Sequence, residues 1–120
     1  MPETEVVFFA EADGSAPLLR WLDEQPVKVQ DKCIVRIERL AATGHELRRP
    51  EADLLRDGIY ELRVRHGHVN YRMLYFFHAG QAVLSHGLTK EDIVPDREID
   101  LAVQRRTAVE REPERHTYRE

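Results

Sequence analysis

Arginines and one carboxylate alternate along a short stretch in the middle of the chain, where they could act on a phosphate. Glu61, Arg63 and Arg65 are two residues apart, and Arg72 follows within ten positions of Arg63. Side chains two residues apart share one face of a strand, so this spacing predicts a carboxylate and arginines on one polar face. A planar guanidinium binds phosphate oxygens through paired hydrogen bonds and stays charged at neutral pH. A solvated sheet surface, with Glu61 paired to an arginine, is the commoner meaning of such a pattern in an arbitrary protein.

Arg72 favours the phosphate interpretation. It shares its predicted strand face with Leu74 and Phe76 and so lies beside buried surface, where an arginine usually needs a partner or a ligand. His86 ends a later strand, and Lys90 follows it. Its imidazole titrates near neutral pH and is a candidate for proton transfer, whereas a histidine satisfied by a backbone carbonyl is the commoner outcome.

The sequence contains no clear set of metal-ligating residues. His66 and His68 flank a glycine, but no third ligand is evident, so we interpret them as part of a turn. The single cysteine, Cys33, forms no internal disulfide and no paired zinc motif. We therefore expect neither a metal nor a cofactor.

Alternating polar and apolar residues predict the sheet that positions these side chains. Tyr60, Leu62 and Val64 alternate with the charged row, and the run that contains Arg72 is nearly all apolar on its other face. The pattern predicts three consecutive antiparallel strands over residues 59–65, 70–78 and 81–87. Glu61, Arg63 and Arg72 should then lie on a common face, because a slip of one residue would bury all the arginines.

The flanking segments predict an α+β domain over residues 1–110. A first strand is expected near residues 5–11, then a brief helix that contains Trp21 and a longer one with Gly44 as a stop just beyond it. Residues 45–57 are polar and predict a loop, and a last helix should begin near Pro95. We expect a small antiparallel sheet with the two N-terminal helices packed on one face, a C-terminal helix, and a frayed polar tail over residues 111–120. An outward-facing Trp21 would suit a protein interface, although a core position is equally compatible.

Composition narrows the range of functions. The 120 residues are 42% hydrophobic, enough for a single modest core. No apolar run approaches the eighteen or so residues of a membrane span, and the acidic N-terminus does not resemble a signal peptide, so we expect a cytoplasmic protein. A net charge of −4 argues against a general nucleic-acid coat, but a local arginine patch can still bind phosphate.

Four segments in the same order resemble the RelE/ParE superfamily of toxins from type II toxin–antitoxin systems, in its HigB-like, phage-derived toxin-like branch. The likeness runs from about Leu55 to Arg106. The segments, with the motifs they resemble, are Leu55–Arg63 (L-x-x-G-aromatic-E-L-R), Asn70–Phe77 (Y-R-apolar-L-Y-F), His86–Lys90 (H-G-F-x-K) and Pro95–Ala102 (P-x-R-E-I-x-x-A).

This resemblance implies a compact RelE-like α+β fold and a metal-independent endoribonuclease that cuts messenger RNA, usually on the ribosome, and so inhibits translation. It also implies a helix-turn-helix antitoxin as the neutralising partner. Arg63 and Arg72 would then hold the scissile phosphate, and Arg65 and Lys90 would bind RNA around it. We assign the general base to Glu61 and the general acid to His86.

Two alternatives share the scaffold and remain open. One is a non-catalytic binding protein similar to the ParE branch, which inhibits DNA gyrase by contact. The other is an inactive toxin that acts as a co-repressor with its antitoxin. The acidic net charge favours these alternatives, and the set of Glu61, Arg63, Arg72 and His86 favours the nuclease.

Overall fold

A computed structural model describes residues 3–89 and 93–119 and shows an α+β fold built on one six-stranded sheet. The strands are β1 (Glu5–Phe9), β2 (Ala52–Arg56), β3 (Ile59–His66), β4 (Val69–His78), β5 (Gln81–Thr89) and β6 (Thr117–Tyr118). The helices are α1 (Pro17–Asp23), α2 (Val27–Thr43), α3 (Asp96–Arg111) and α4 (Pro113–His116), with a single 3₁₀ turn at Gly44–Glu46. The strand order is β2-β3-β4-β5-β1-β6, and every pair is antiparallel except β1 with β5.

The three central strands form the predicted antiparallel meander. Arg63 lies opposite Arg72, and Glu61 lies opposite Leu74. Because residues directly opposite one another point to the same side of a sheet, Glu61, Arg63 and Arg72 share one face, as predicted. Between β4 and β5 the register shifts by one residue, because Leu74 pairs with His86 while Tyr75 pairs with Leu84. Ser85 is therefore the extra residue of a β-bulge.

Helices cover both faces of the sheet, and each face has its own apolar core. Helices α1 and α2 pack on the face that carries Leu62, Met73 and Leu84. Helix α3 packs on the opposite face, against Leu74 and Phe76. The charged row of β3 and β4 lies on the same face as α3. Among the described residues, no helix is long and apolar enough to cross a membrane.

Local signals determine where the helices begin and end. Pro17 starts α1 at a position that needs no backbone N–H, and Pro95 caps α3, whose first turn carries Asp96 and Glu98 near the positive end of the helix dipole. Helix α2 ends at Thr43 and is capped by Gly44, whose φ of +60° is strained for residues with a side chain. The end of α2 and the start of α3 agree with the sequence-based expectations.

Two segments differ from those expectations. The predicted loop over residues 45–57 contains β2, which pairs with β3 and buries Ala52 while leaving Leu54 exposed. The polar tail, expected to fray from residue 111 onward, contains α4 and the two-residue strand β6. His116 stacks on Phe9 with the ring centroids 5.6 Å apart, and this contact places β6 beside β1.

Trp21 faces the sheet, so of the two positions left open by the sequence the packed one is correct and the outward-facing one is wrong. The indole ring lies edge-on to Tyr71, and its Nε1–H donates to Thr89 Oγ1 at 3.3 Å. The ring also sits directly over Gly87, where an added Cβ would lie 2.1 Å from the indole. Gly87 is thus required for close approach, and Trp21 serves the packing of α1 on β5.

Candidate functional site

A cavity of about 320 Å³ opens beside the outer end of the β3–β4 hairpin. Four arginines line it: Arg36, Arg63, Arg65 and Arg72; Asn70 and Tyr71 are among the other lining residues. We call this cavity the arginine pocket. No acidic residue lines it among the described residues, so a bound anion would meet a concentration of positive charge despite the negative net charge of the chain.

A buried ion pair lies beside the arginine pocket. Arg72 Nε is 2.9 Å from Glu61 Oε1, and the two side chains are only 8% and 7% exposed. Burial raises the pKa of Glu61 above its ordinary value, and the nearby charges of Arg72 and Arg63 oppose that shift. A carboxylate whose pKa is raised accepts a proton more readily near neutral pH, which suits a general base.

The other two arginines of the charged row are progressively more exposed. Arg63 Nε lies 4.0 Å from Glu61 Oε2, and its side chain is 37% exposed. Arg65 is exposed at the hairpin end, and its Nε donates to the backbone oxygen of Gly67 at 3.2 Å. Because these two side chains face the cavity with less burial than Arg72, they are accessible to a large substrate.

Arg36 joins the pocket from α2, and sequence reasoning missed it. Its Nη1 donates to the backbone oxygen of Arg63, which fixes the guanidinium against the edge of β3. Its Nε is 3.9 Å from Glu51, a carboxylate that also pairs with Arg39 at 3.2 Å. The only sequence signal is the i, i+4 spacing of Lys32 and Arg36 on the polar side of α2, and that spacing does not reveal which surface the helix faces.

His86 lies on the same sheet face as Glu61 but does not line the arginine pocket. Both of its ring nitrogens have partners, with Nδ1 2.7 Å from Ser85 Oγ and Nε2 3.0 Å from Glu98 Oε1. Arg105 donates to the Ser85 carbonyl at 3.1 Å. These hydrogen bonds connect β5 to α3. They give no direct support to the general-acid role expected for His86 from the sequence.

His66 and His68 do not line the arginine pocket. Lys90 lies outside the described residues. His66 is the last residue of β3, and His68 lies in the turn between β3 and β4. Within residues 3–89 and 93–119, no three histidine, cysteine or carboxylate side chains are grouped to hold a metal ion.

The surroundings of His86 predict that acid weakens the fold. Burial and the charge of Arg105 lower the pKa of His86, although Glu98 opposes the shift. The folded protein then favours the neutral ring, so the unfolded chain binds more protons as the pH falls below the ordinary histidine value of about 6.5. The stability due to this group is present above that pH and is lost as the pH falls towards the lower folded-state pKa.

We expect urea unfolding of the wild type to show a lower free energy at pH 5.5 than at pH 7.5. His86→Gln should show a smaller difference between the two pH values. His68→Gln, a change at an exposed turn residue, is the control and should behave like the wild type. Equal pH dependence in the His86→Gln variant and the wild type would contradict the assignment.

Comparison with known proteins identifies a family. Residues 20–107 match the family model described as "Phage derived protein Gp49-like (DUF891)". No curated protein matches the chain. The matched segment begins within α1, ends within α3 and includes all four arginines of the pocket together with Glu61.

Proposed function

The chain belongs to this Gp49-like family, which is toxin-like, and on that basis we propose that it is the toxin of a type II toxin–antitoxin pair. Its activity would be that of a HigB-like endoribonuclease that cuts messenger RNA without a metal. The arginine pocket carries this proposal, because it gathers four guanidinium groups beside a buried carboxylate, Glu61, that pairs with one of them. Guanidinium groups bind phosphate oxygens, and a carboxylate can accept the proton that leaves the attacking hydroxyl.

The proposed reaction uses the RNA's own 2′-hydroxyl as the nucleophile. Glu61 accepts the hydroxyl proton as the 2′ oxygen attacks phosphorus. The bond from phosphorus to the 5′ oxygen then breaks, which leaves a 2′,3′-cyclic phosphate. The departing 5′ oxygen takes its proton from water, because His86 is bonded to Ser85 and Glu98.

The arginines stabilise the negative charge that develops on the phosphate. Arg72 has five N–H donors, so one edge of the guanidinium can contact Glu61 while another contacts a phosphate oxygen. Arg63 contributes a second guanidinium from the neighbouring strand, and both are held in place before the substrate binds. Preorganised donors of this kind usually supply a large share of the rate enhancement, since they need no rearrangement in the transition state.

Two partners complete the proposal. The message is presented by the ribosome, which compensates for the weak long-range attraction between an acidic protein and RNA. A helix-turn-helix antitoxin neutralises the toxin by covering the arginine pocket.

Controlled expression in bacteria without an antitoxin tests this function. Induction should arrest growth, and mapping of message 5′ ends should show new cuts within translated regions. Cleavage by the purified protein on programmed ribosomes should continue after addition of a chelator at a concentration that leaves the ribosomes intact. Growth arrest without any cut message would contradict the nuclease.

The buried ion pair also favours a second candidate, a non-catalytic binding protein. Glu61 and Arg72 neutralise one another at 2.9 Å, as they would in a purely structural pair. A gyrase inhibitor would arrest growth with altered DNA supercoiling and intact messages. A co-repressor would cause no arrest and would change only transcription from DNA bound by its antitoxin.

A further inference from the structure

A second cavity continues from the arginine pocket along α2. Its volume is about 370 Å³, and its lining includes Lys32, Val35 and Arg36 from the helix together with Val64 and Arg65 from β3. We call it the α2 groove. Arg36, Val64 and Arg65 line both cavities, so the two form one continuous path around the outer edge of β3.

Two cations of α2 are fixed against that strand edge. Lys32 Nζ donates to the backbone oxygen of Arg65 at 3.3 Å, and Arg36 donates to the backbone oxygen of Arg63. Lys32 and Arg36 are one helical turn apart, and Arg63 and Arg65 are two strand residues apart. Each spacing is roughly 5–7 Å between backbone positions, so basic residues recur at short, regular intervals along the path.

The positive charge of this path exceeds the negative charge beside it. Asp31 is the one acidic residue among the described residues that line the α2 groove. Glu51 approaches Arg36 only to 3.9 Å and is closer to Arg39. A single carbonyl bond leaves Arg36 further N–H donors for a ligand. A phosphate in the path would thus meet several cations and little opposing charge.

We infer that the α2 groove binds a backbone phosphate of the message next to the scissile one. The RNA strand crosses the outer edge of β3, with the scissile phosphate at Arg63 and Arg72 and the flanking phosphate at Arg36 and Lys32. This inference rests on the proposed nuclease function and adds α2 as the element that positions the substrate. Regular spacing of cations and continuity with the arginine pocket favour a nucleic-acid backbone over an acidic peptide.

Single-turnover cleavage on programmed ribosomes tests the inference. The toxin concentration is varied, and the half-saturating concentration and the maximal rate are measured for the wild type, Arg36→Gln and Lys32→Gln. Arg36→Lys retains the charge, and Arg111→Gln, at the exposed last residue of α3, removes one charge from a residue that lines neither cavity. Messages with one neutral methylphosphonate linkage, placed on either side of the scissile phosphate in turn, identify the contact. Circular dichroism and urea unfolding establish that each variant is folded.

We expect Arg36→Gln to raise the half-saturating concentration about tenfold with little change in the maximal rate, since a charge-assisted hydrogen bond contributes that much. Lys32→Gln should show a smaller effect in the same direction, Arg36→Lys an intermediate one, and Arg111→Gln none. One of the two neutral linkages should weaken the wild type similarly and should not weaken Arg36→Gln further.

Other outcomes overturn the inference in distinguishable ways. If neither neutral linkage removes the difference between the wild type and Arg36→Gln, Arg36 contacts the ribosome and not the message. Unchanged cleavage by folded Arg36→Gln and Lys32→Gln, combined with lost neutralisation by the antitoxin, would make the groove a protein-docking surface. A wild type that cuts no message removes the proposed function itself, and this inference falls with it.

Discussion

Replacement of Arg72 by alanine is expected to lower the rate of message cleavage by at least about a hundredfold, which is the usual effect of losing one preorganised transition-state contact. Arg72 combines a phosphate-binding side chain with an 8% exposed position, where contacts act at a lower effective dielectric than on open surface. Single-turnover cleavage on programmed ribosomes measures this rate. In cells, the variant should no longer arrest growth.

Burial of Arg72 requires controls for folding. Its loss leaves Glu61 as a buried carboxylate without this ion pair, so Arg72→Ala should also be less stable. Arg72→Lys keeps a positive charge beside Glu61 but removes the planar fork, and we expect it to fold and still to cut slowly. Arg65→Ala, at the exposed hairpin end, should mainly weaken RNA binding. Full toxicity of a folded Arg72→Ala variant would exclude this residue from catalysis.

The largest effect on stability should come from breaking the Glu61–Arg72 pair on one side only. Glu61→Ala is expected to lower the free energy of unfolding by about 3 kcal/mol or more, because it leaves a guanidinium without its carboxylate partner inside the protein. The double variant Glu61→Leu/Arg72→Met should recover most of that loss, since apolar side chains of similar volume commonly replace a buried ion pair without net cost. It should nevertheless cut no message. Urea unfolding and the cleavage assay measure the two properties.

The double variant separates a functional pair from a structural one. Near wild-type stability with no cleavage would mean that the sheet does not need the pair in order to fold. A double variant as unstable as Glu61→Ala would instead show that the pair supports the fold. That result would favour the non-catalytic binding protein. Val64→Ala, on the other face of β3, provides a matched loss of packing with the pair intact.

The central sheet was predictable because its information is local. Alternation around Glu61 and Arg63 indicates a strand with one polar face, and the nearly apolar run from Tyr71 to Phe77 indicates its buried neighbour. The prediction that the charged side chains share one face followed from the alternation of side chains along a strand. Strand β2 was not predictable in this way, since ADLLR has no clear alternation and pairs only because β3 offers an edge.

The composition of the pocket depended on contacts between distant segments. Periodicity places Arg36 on the polar side of α2, but its bond to the Arg63 carbonyl depends on how α2 lies against β3. The same applies to His86, because the sequence does not show that Glu98 of α3 binds its ring. The parallel pairing of β1 with β5 likewise joins segments more than seventy residues apart.

The bulge at Ser85 reverses the side of the sheet to which the residues after it on β5 point. If the intact strands paired without a bulge, Leu74 would face Ser85, Met73 would face His86 and Arg72 would face Gly87. The imidazole would then occupy the side where Trp21 needs a bare glycine, and α3 would lose the partner of Glu98. The bulge at Ser85 thus decides that His86 faces α3 and that Gly87 faces α1. Removal of Ser85 should keep both assignments, whereas removal of Gly87 should bring Leu88 beneath the indole.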